Sequence, residues 1–383
     1  MKQARRMAPF KEYPFERGLK RCRELKEAGH FVLNLGVGSP DLNPPPGVGQ
    51  SLTSALNAPG VHRYQGSRGS LELRAAIADW YQRWFKVDLD AHSDILPLIG
   101  SKEGIYLISL AFLNEGNEVL VPNPGYVNYR KSAELVGATA IDYQLDEAGY
   151  WLPDLAKLRD MDTSNVKLMW INNPHMPTGS TMGQSALLEL RAFAREREIL
   201  LINDCPYALL SSSPYSILSD AHPNESCLEL NSLSKAYHMA GWRLGMVCGH
   251  ANLIDPIFRL QSHFHSGIFL PLQRAAVTAL NSDPAWRMEQ NNELMERREA
   301  VTHLLNQLGF HIPESTTQEG LFAWAKAPDH IENLEAHLDE LLLNTHIFLA
   351  PGSFFGSAGE RWVRASLCVP VEEIRAFQRT MTV

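Results

Sequence analysis

A few residues stand where their chemistry could be used. Lys235 lies in Asn231-Ser-Leu-Ser-Lys-Ala-Tyr-His-Met-Ala-Gly-Trp-Arg-Leu-Gly245, flanked by Ser232 and Ser234, with Arg243 eight residues on. Asn173 follows the apolar run 166–171, Asp204 follows 199–202, and Tyr207 comes three residues later. Amine, carboxylate, phenol and amide can all exchange protons or hold a ligand. In parallel α/β sheets, ligands bind at the carboxyl ends of strands, which is where these residues fall. Singly, each has a plainer reading. A lone lysine is usually a solvated charge. Asp204 could be a helix N-cap. Tyr126 and Tyr207 could be core aromatics. Asn173-Pro174 could be a turn, and Gly100-Ser101 a helix start. Arg364 alternates with Val363 and Ala365, which by itself predicts a half-exposed strand arginine.

The elements that must position them are legible in the apolar pattern. Residues 31–49 are rich in Gly and Pro and read as extended chain and turns. From about residue 50 to 280, helical patterns alternate with short apolar runs. Helices are predicted over 71–85, 105–113 and 185–198, and strands over 118–121, 166–171 and 199–202. This rhythm predicts an α/β fold with a mainly parallel sheet between helices. Residues 285–308 contain neither Gly nor Pro and predict one helix about 36 Å long. Its apolar stripe is Leu294, Val301, Leu304, Leu305 and Leu308. Beyond it come strands near 321–324, 347–349 and 362–368 and a helix over 331–343. The expectation is a large α/β domain over 50–284. A smaller α+β domain would form from 1–49 and 285–383, joined by the long helix.

Composition removes several classes of function. The 383 residues are 45% hydrophobic and 20% charged, so the chain is globular rather than disordered. Lys plus Arg is 35 and Asp plus Glu is 43, a net charge of −8 that argues against nucleic acid as a partner. The longest apolar run, 105–113, is too short to span a membrane. The five cysteines are widely spaced and lack a C-x-x-C, so neither a zinc site nor a disulfide framework is expected. His238, His263 and His265 are not spaced as metal ligands, and no metal is expected. No secretory signal precedes Lys11 and Glu12, and reduced thiols suit a cytoplasmic enzyme.

Seven stretches, in this order, resemble the class I/II aminotransferases, the pyridoxal 5'-phosphate (PLP) enzymes of the aspartate aminotransferase fold. They are Leu35-Gly-Val-Gly-Ser-Pro-Asp41, Tyr64 to Arg74, Pro122-Asn-Pro-Gly-Tyr126, Asn173-Pro-His-Met-Pro-Thr-Gly179, Asn203-Asp-Cys-Pro-Tyr207, Ser232 to Gly245, and Trp362-Val-Arg364. The resemblance covers nearly the whole chain. It implies that Lys235 joins the cofactor aldehyde and then moves the substrate proton. It implies that Asp204 pairs with the pyridine nitrogen, and that Tyr207 and Asn173 hydrogen-bond the phenolic oxygen. Tyr126 would stack on the ring. Ser232, Ser234, Arg243 and the amides of Ser101 and Lys102 after Gly100 would hold the phosphate. Tyr64 would reach the phosphate of a neighbouring subunit in a homodimer. Arg364 would clamp the substrate α-carboxylate, with Gly38 leaving room for it.

The implied reaction moves an amino group from an L-amino acid to a 2-oxo acid, 2-oxoglutarate being the expected acceptor, by a ping-pong mechanism. The segments 238–246 and 266–273 are most similar to the alanine, diaminopimelate and methionine branch. Met176 stands where the family often has Asn, Cys205 where Glu is frequent, and Glu319 where a second Gly is common. Two alternatives share the fold: a PLP-dependent C–S β-lyase, and an inactive scaffold or regulator. Whether the N-terminal segment covers the substrate is left open by the sequence.

Overall fold

The computed structural model describes residues 2–219, 225–313 and 318–380. Seven strands form the main sheet: β1 (Ile95–Leu98), β2 (Glu118–Asn123), β3 (Thr139–Gln144), β4 (Val166–Ile171), β5 (Leu200–Asp204), β6 (Cys227–Ser232) and β7 (Gly245–Gly249). Their order is β1-β7-β6-β5-β4-β2-β3. All neighbours are parallel except β7, which runs antiparallel to both β1 and β6. The central strands are continuous apolar runs because helices cover both faces, and β4 is buried from Leu168 to Ile171. Register brings strand ends together: Ile171 pairs with Asn203, Asp204 with Leu230, and Ser232 with Gly245. The carboxyl ends of β4, β5 and β6 therefore share one edge of the sheet with the start of β7.

A three-stranded antiparallel sheet is built from β8 (Phe322–Lys326), β9 (Ala350–Pro351) and β10 (Trp362–Ser366), with β10 in the middle. Arg364 pairs with Trp324 on one side and Ala350 on the other. The N-terminal chain joins this layer. Leu33–Asn34 runs parallel to Ile347–Phe348, and the Ser366 amide donates to the Leu35 carbonyl at 2.6 Å. One apolar cluster, including Ile171, Leu201, Trp324 and Phe377, runs through both sheets.

The predicted helices over 71–85 and 285–308 form as Leu71–Phe85 and Pro284–Gln307. Each start has a local cause. Ser70 Oγ accepts from the Leu73 amide at 3.2 Å, and Asp283 caps Ala285 ahead of a proline in the first turn. On the long helix Leu294, Val301, Leu304 and Leu305 are buried, while Leu308 ends it and is half-buried. The strand predicted over 118–121 runs two residues further, through Pro122, which lies inside β2, and its pairing continues to Asn123. All five cysteines are buried and unpaired. Among the described residues no helix is long and apolar enough to cross a membrane.

Candidate active site

The sheet edge described above floors a cavity of about 620 Å³ that the small sheet and the N-terminal segment close from the other side. Asp204 is the last residue of β5, Ser232 the last of β6, and Lys235 lies one residue beyond Ser234 in the single turn Leu233–Ala236. Lys235, Asp204, Tyr207, Tyr126, Ser101, Lys102, Ser232, Ser234, Arg243, Gly38 and Arg364 all line this one space. Residues spread over more than 300 positions of sequence thus meet in one place.

Asp204 is 4% exposed and does not cap a helix. Its Oδ2 accepts from the Tyr129 hydroxyl at 2.8 Å, while its Oδ1 is buried with no partner. Burial pushes its carboxyl up to about 7, against the opposing pull of the Tyr129 hydrogen bond. Tyr129 is in turn fixed by stacking on Trp170, with ring centroids 4.9 Å apart. Lys235 is no solvated surface charge. Its Nζ donates to the Gly38 carbonyl at 2.5 Å, and burial pushes the ammonium down to about 8, with Arg364, Arg243 and Lys102 adding repulsion.

Arg364 is buried, not the half-exposed strand residue that alternation suggests, because the N-terminal segment and Phe355 cover its face of β10. Its guanidinium lies 4.0 Å from the Phe322 ring centroid, 4.6 Å from Phe355 and 5.3 Å from Phe15. One nitrogen donates to the Gly36 carbonyl at 2.6 Å and another meets the Met176 sulfur at 3.4 Å, but Nε has no partner. No carboxylate of the described residues pairs with it, and burial pushes the pKa of the guanidinium down to about 10.

An anion cradle lies at the other end. The helix Ser101–Phe112 starts there, and its N-cap Gly100 brings no side-chain acceptor to the first amides. Gly100 has φ +79°, and a Cβ on it would come within 2.2 Å of the Arg243 guanidinium. Arg243 is held by the Ala240 carbonyl at 2.8 Å and reaches Ser234 Oγ at 3.5 Å. Ser232 Oγ and Ser234 Oγ are 2.9 Å apart.

Two sequence expectations are corrected. Asn173 does not face the cavity. Its amide oxygen accepts from the Met182 amide at 2.8 Å and its nitrogen donates to the Met182 carbonyl at 3.3 Å, which locks it under the loop. Asn172 and Met176 face the cavity instead, and Asn172 Nδ2 donates to the Asp204 carbonyl. Gly38 does not leave free space. A Cβ there would sit 2.3 Å from the Phe322 ring, so the ring occupies the room. Tyr64 is 91% exposed and does not line the cavity of its own chain. Sequence reasoning also missed Tyr129, Tyr13 and Phe15. Tyr129 sits three residues after Tyr126 in an otherwise ordinary helix, and Tyr13 and Phe15 precede every recognisable motif.

An orphaned carboxylate oxygen, an amine and an anion cradle in one cavity fit the three handles of PLP: ring nitrogen, aldehyde and phosphate. The aminotransferase class I and II family matches residues 31–379. The LL-diaminopimelate aminotransferase of Dehalococcoides mccartyi (strain ATCC BAA-2100) is 34% identical, over 98% of this chain and 96% of that protein. The LL-diaminopimelate aminotransferase of Moorella thermoacetica is 35% identical over the same shares. The substrate-bound structure of BacF from Bacillus subtilis superposes with a TM-score of 0.93 at 31% identity, over 100% of this chain and 98% of that one. The fold is that of aspartate aminotransferase. This chain belongs to the class I and II aminotransferases, enzymes that use pyridoxal 5'-phosphate to move amino groups.

Proposed function

We propose that the cavity is the transamination site and that each of its charged residues has one task. When bound, PLP supplies an electron sink that lets the Cα–H bond of an amino acid break. Lys235 would anchor the cofactor and, once released as a free amine, take the proton from the substrate Cα, its lowered basicity making the amine available near neutral pH. Asp204 keeps a cation on the ring nitrogen, and its unpartnered Oδ1 is the atom that accepts this bond. Tyr129 orients that carboxylate. Tyr207 and Asn172, which both line the cavity, would hydrogen-bond the phenolic oxygen, and Tyr126 would cover the ring. Ser232, Ser234, Arg243 and the amides of Ser101 and Lys102 hold the phosphate. Arg364 binds the substrate α-carboxylate through its unpartnered Nε and the remaining N–H groups of its fork.

The observation that carries this reading is the pair of unmatched buried groups, Asp204 and Arg364, lining one cavity with one amine. Burying either without a partner is costly, and a cationic ring plus a carboxylate-bearing substrate satisfies both. The amine acceptor is a 2-oxo acid, with 2-oxoglutarate first among candidates. The enzyme works as a cytoplasmic homodimer in which the exposed Tyr64 enters the neighbouring site, and its large domain is 50–284 with 1–49 and 285–383 as the small one. Relatives that carry aminotransferase names favour neither the β-lyase nor the inactive scaffold. The test is a single half-reaction. Purified holoenzyme mixed with an amino acid should lose its long-wavelength cofactor band and release a 2-oxo acid. Lys235→Ala should bind the cofactor without that band and turn over at least about 10³-fold more slowly. A Lys235→Ala protein with wild-type turnover would overturn the assignment.

A further inference from the structure

The wall of the cavity beyond Arg364 speaks to the substrate's side chain. Tyr13, Phe15, Leu19, Val37, Phe354 and Phe355 line it. Phe15 immediately precedes the helix Glu16–Glu27, whose first turn brings Leu19 to the same space. Phe15 packs edge-on against Phe354 at 5.2 Å and Phe355 at 6.1 Å, so three rings form one continuous apolar surface. The charges lining the cavity are lopsided. Lys102, Lys235, Arg243 and Arg364 are cations, and Asp204 is the one carboxylate among the described lining residues. That carboxylate is buried at the end of β5 and already bonded to Tyr129. Among this chain's own lining residues, a second ammonium on a bound amino acid would therefore meet rings and cations and no free anion. Lys102 holds its Nζ 5.8 Å from the Tyr13 ring centroid and 5.9 Å from that of Tyr126, which adds to the excess of cations over anions here.

We infer that the amino donor carries a large uncharged side chain, aromatic or branched aliphatic, and that this wall rejects a distal ammonium. The inference rests on the aminotransferase reading of the site. It separates this chain's donor from the compound in the names of its LL-diaminopimelate relatives, whose far end bears both an ammonium and a carboxylate. Apolar walls discriminate modestly between apolar groups, but strongly against a charge that must be stripped of water and left unpaired.

The experiment compares donors on the wild-type holoenzyme with 2-oxoglutarate as acceptor. Phenylalanine or leucine should exceed LL-diaminopimelate and lysine in kcat/KM by about 100-fold or more. Equilibrium binding gives a second reading: by calorimetry, 3-phenylpropionate should bind the holoenzyme at least about tenfold more tightly than 6-aminohexanoate. Leu19→Glu puts an anion on the wall and should narrow the phenylalanine-to-diaminopimelate ratio at least about tenfold. An unchanged ratio in a folded, cofactor-loaded Leu19→Glu protein counts against the wall. Equal or better use of LL-diaminopimelate by the wild type overturns the inference and leaves the aminotransferase reading intact. Failure with every donor overturns that reading, and the inference with it.

Discussion

Asp204 is the residue where cost and use are most tightly joined. A carboxyl whose folded value is about 7 takes up a proton on folding at any pH between its unfolded value, about 4, and 7. The native state then binds more protons than the unfolded chain. The cofactor-free protein therefore loses stability as pH rises through that window. Asp204→Asn removes this contribution, so its melting temperature should fall less steeply from pH 4 to 7 than that of the wild type. The same substitution leaves the ring nitrogen without an anionic partner and should slow transamination by about 10²-fold or more. Equal pH slopes in scanning calorimetry of the two apoproteins would contradict the first part, and equal rates the second. The sequence made Asp204 and Lys235 visible because each follows a strand and stands in a dense motif. It misled at Asn173, where two adjacent asparagines end one strand. Strand alternation sends neighbouring side chains to opposite faces, and only coordinates reveal which of the two meets the ligand.

At the scale of elements, the turn from β1 into the helix Ser101–Phe112 decides how tightly an anion is held. Gly100 has a positive φ that disfavours a side chain, and the Arg243 guanidinium lies where its Cβ would go. Gly100→Ala should thus push Arg243 aside and weaken cofactor affinity by about tenfold or more, with a smaller effect on turnover at saturating PLP. Equilibrium dialysis of the apoprotein against PLP measures this, and wild-type affinity in the variant would refute it. Elements were the most legible level of the sequence. The helices near 71–85 and 285–308 and the strand 166–171 form where periodicity puts them, because their caps and apolar stripes agree with their burial. Boundaries were less so. The strand predicted to end at 121 takes in Pro122 and ends at Asn123.

At the scale of the whole molecule, Tyr64 is a large aromatic residue left almost entirely in solvent. In the proposed homodimer it is covered by, and helps complete, the second cavity. A mixture of inactive Lys235→Ala and weakened Tyr64→Ala chains, unfolded and refolded together, should then recover activity. One hybrid site pairs an intact lysine with an intact tyrosine from the partner, and the other carries both substitutions. Activity no greater than that of the two parents measured separately would argue against a shared site. The sequence showed the order of the seven stretches but not how the first fifty residues lie over the cavity. That depends on non-local contacts such as the ion pair between Asp41 and Arg297, 2.6 Å across, which ties the N-terminal segment to the long helix.

The cavity's two halves also mature at different moments of biosynthesis. The groups that grip the vitamin, from Gly100 through Arg243, and the strands beneath them are complete once residue 249 has emerged. Arg364 and the rings around it come from the last sixth of the chain and from its first tenth. A growing polypeptide could thus sequester its cofactor well before it could recognise an amino acid. The reactive aldehyde would be held early, by a protein as yet unable to turn over.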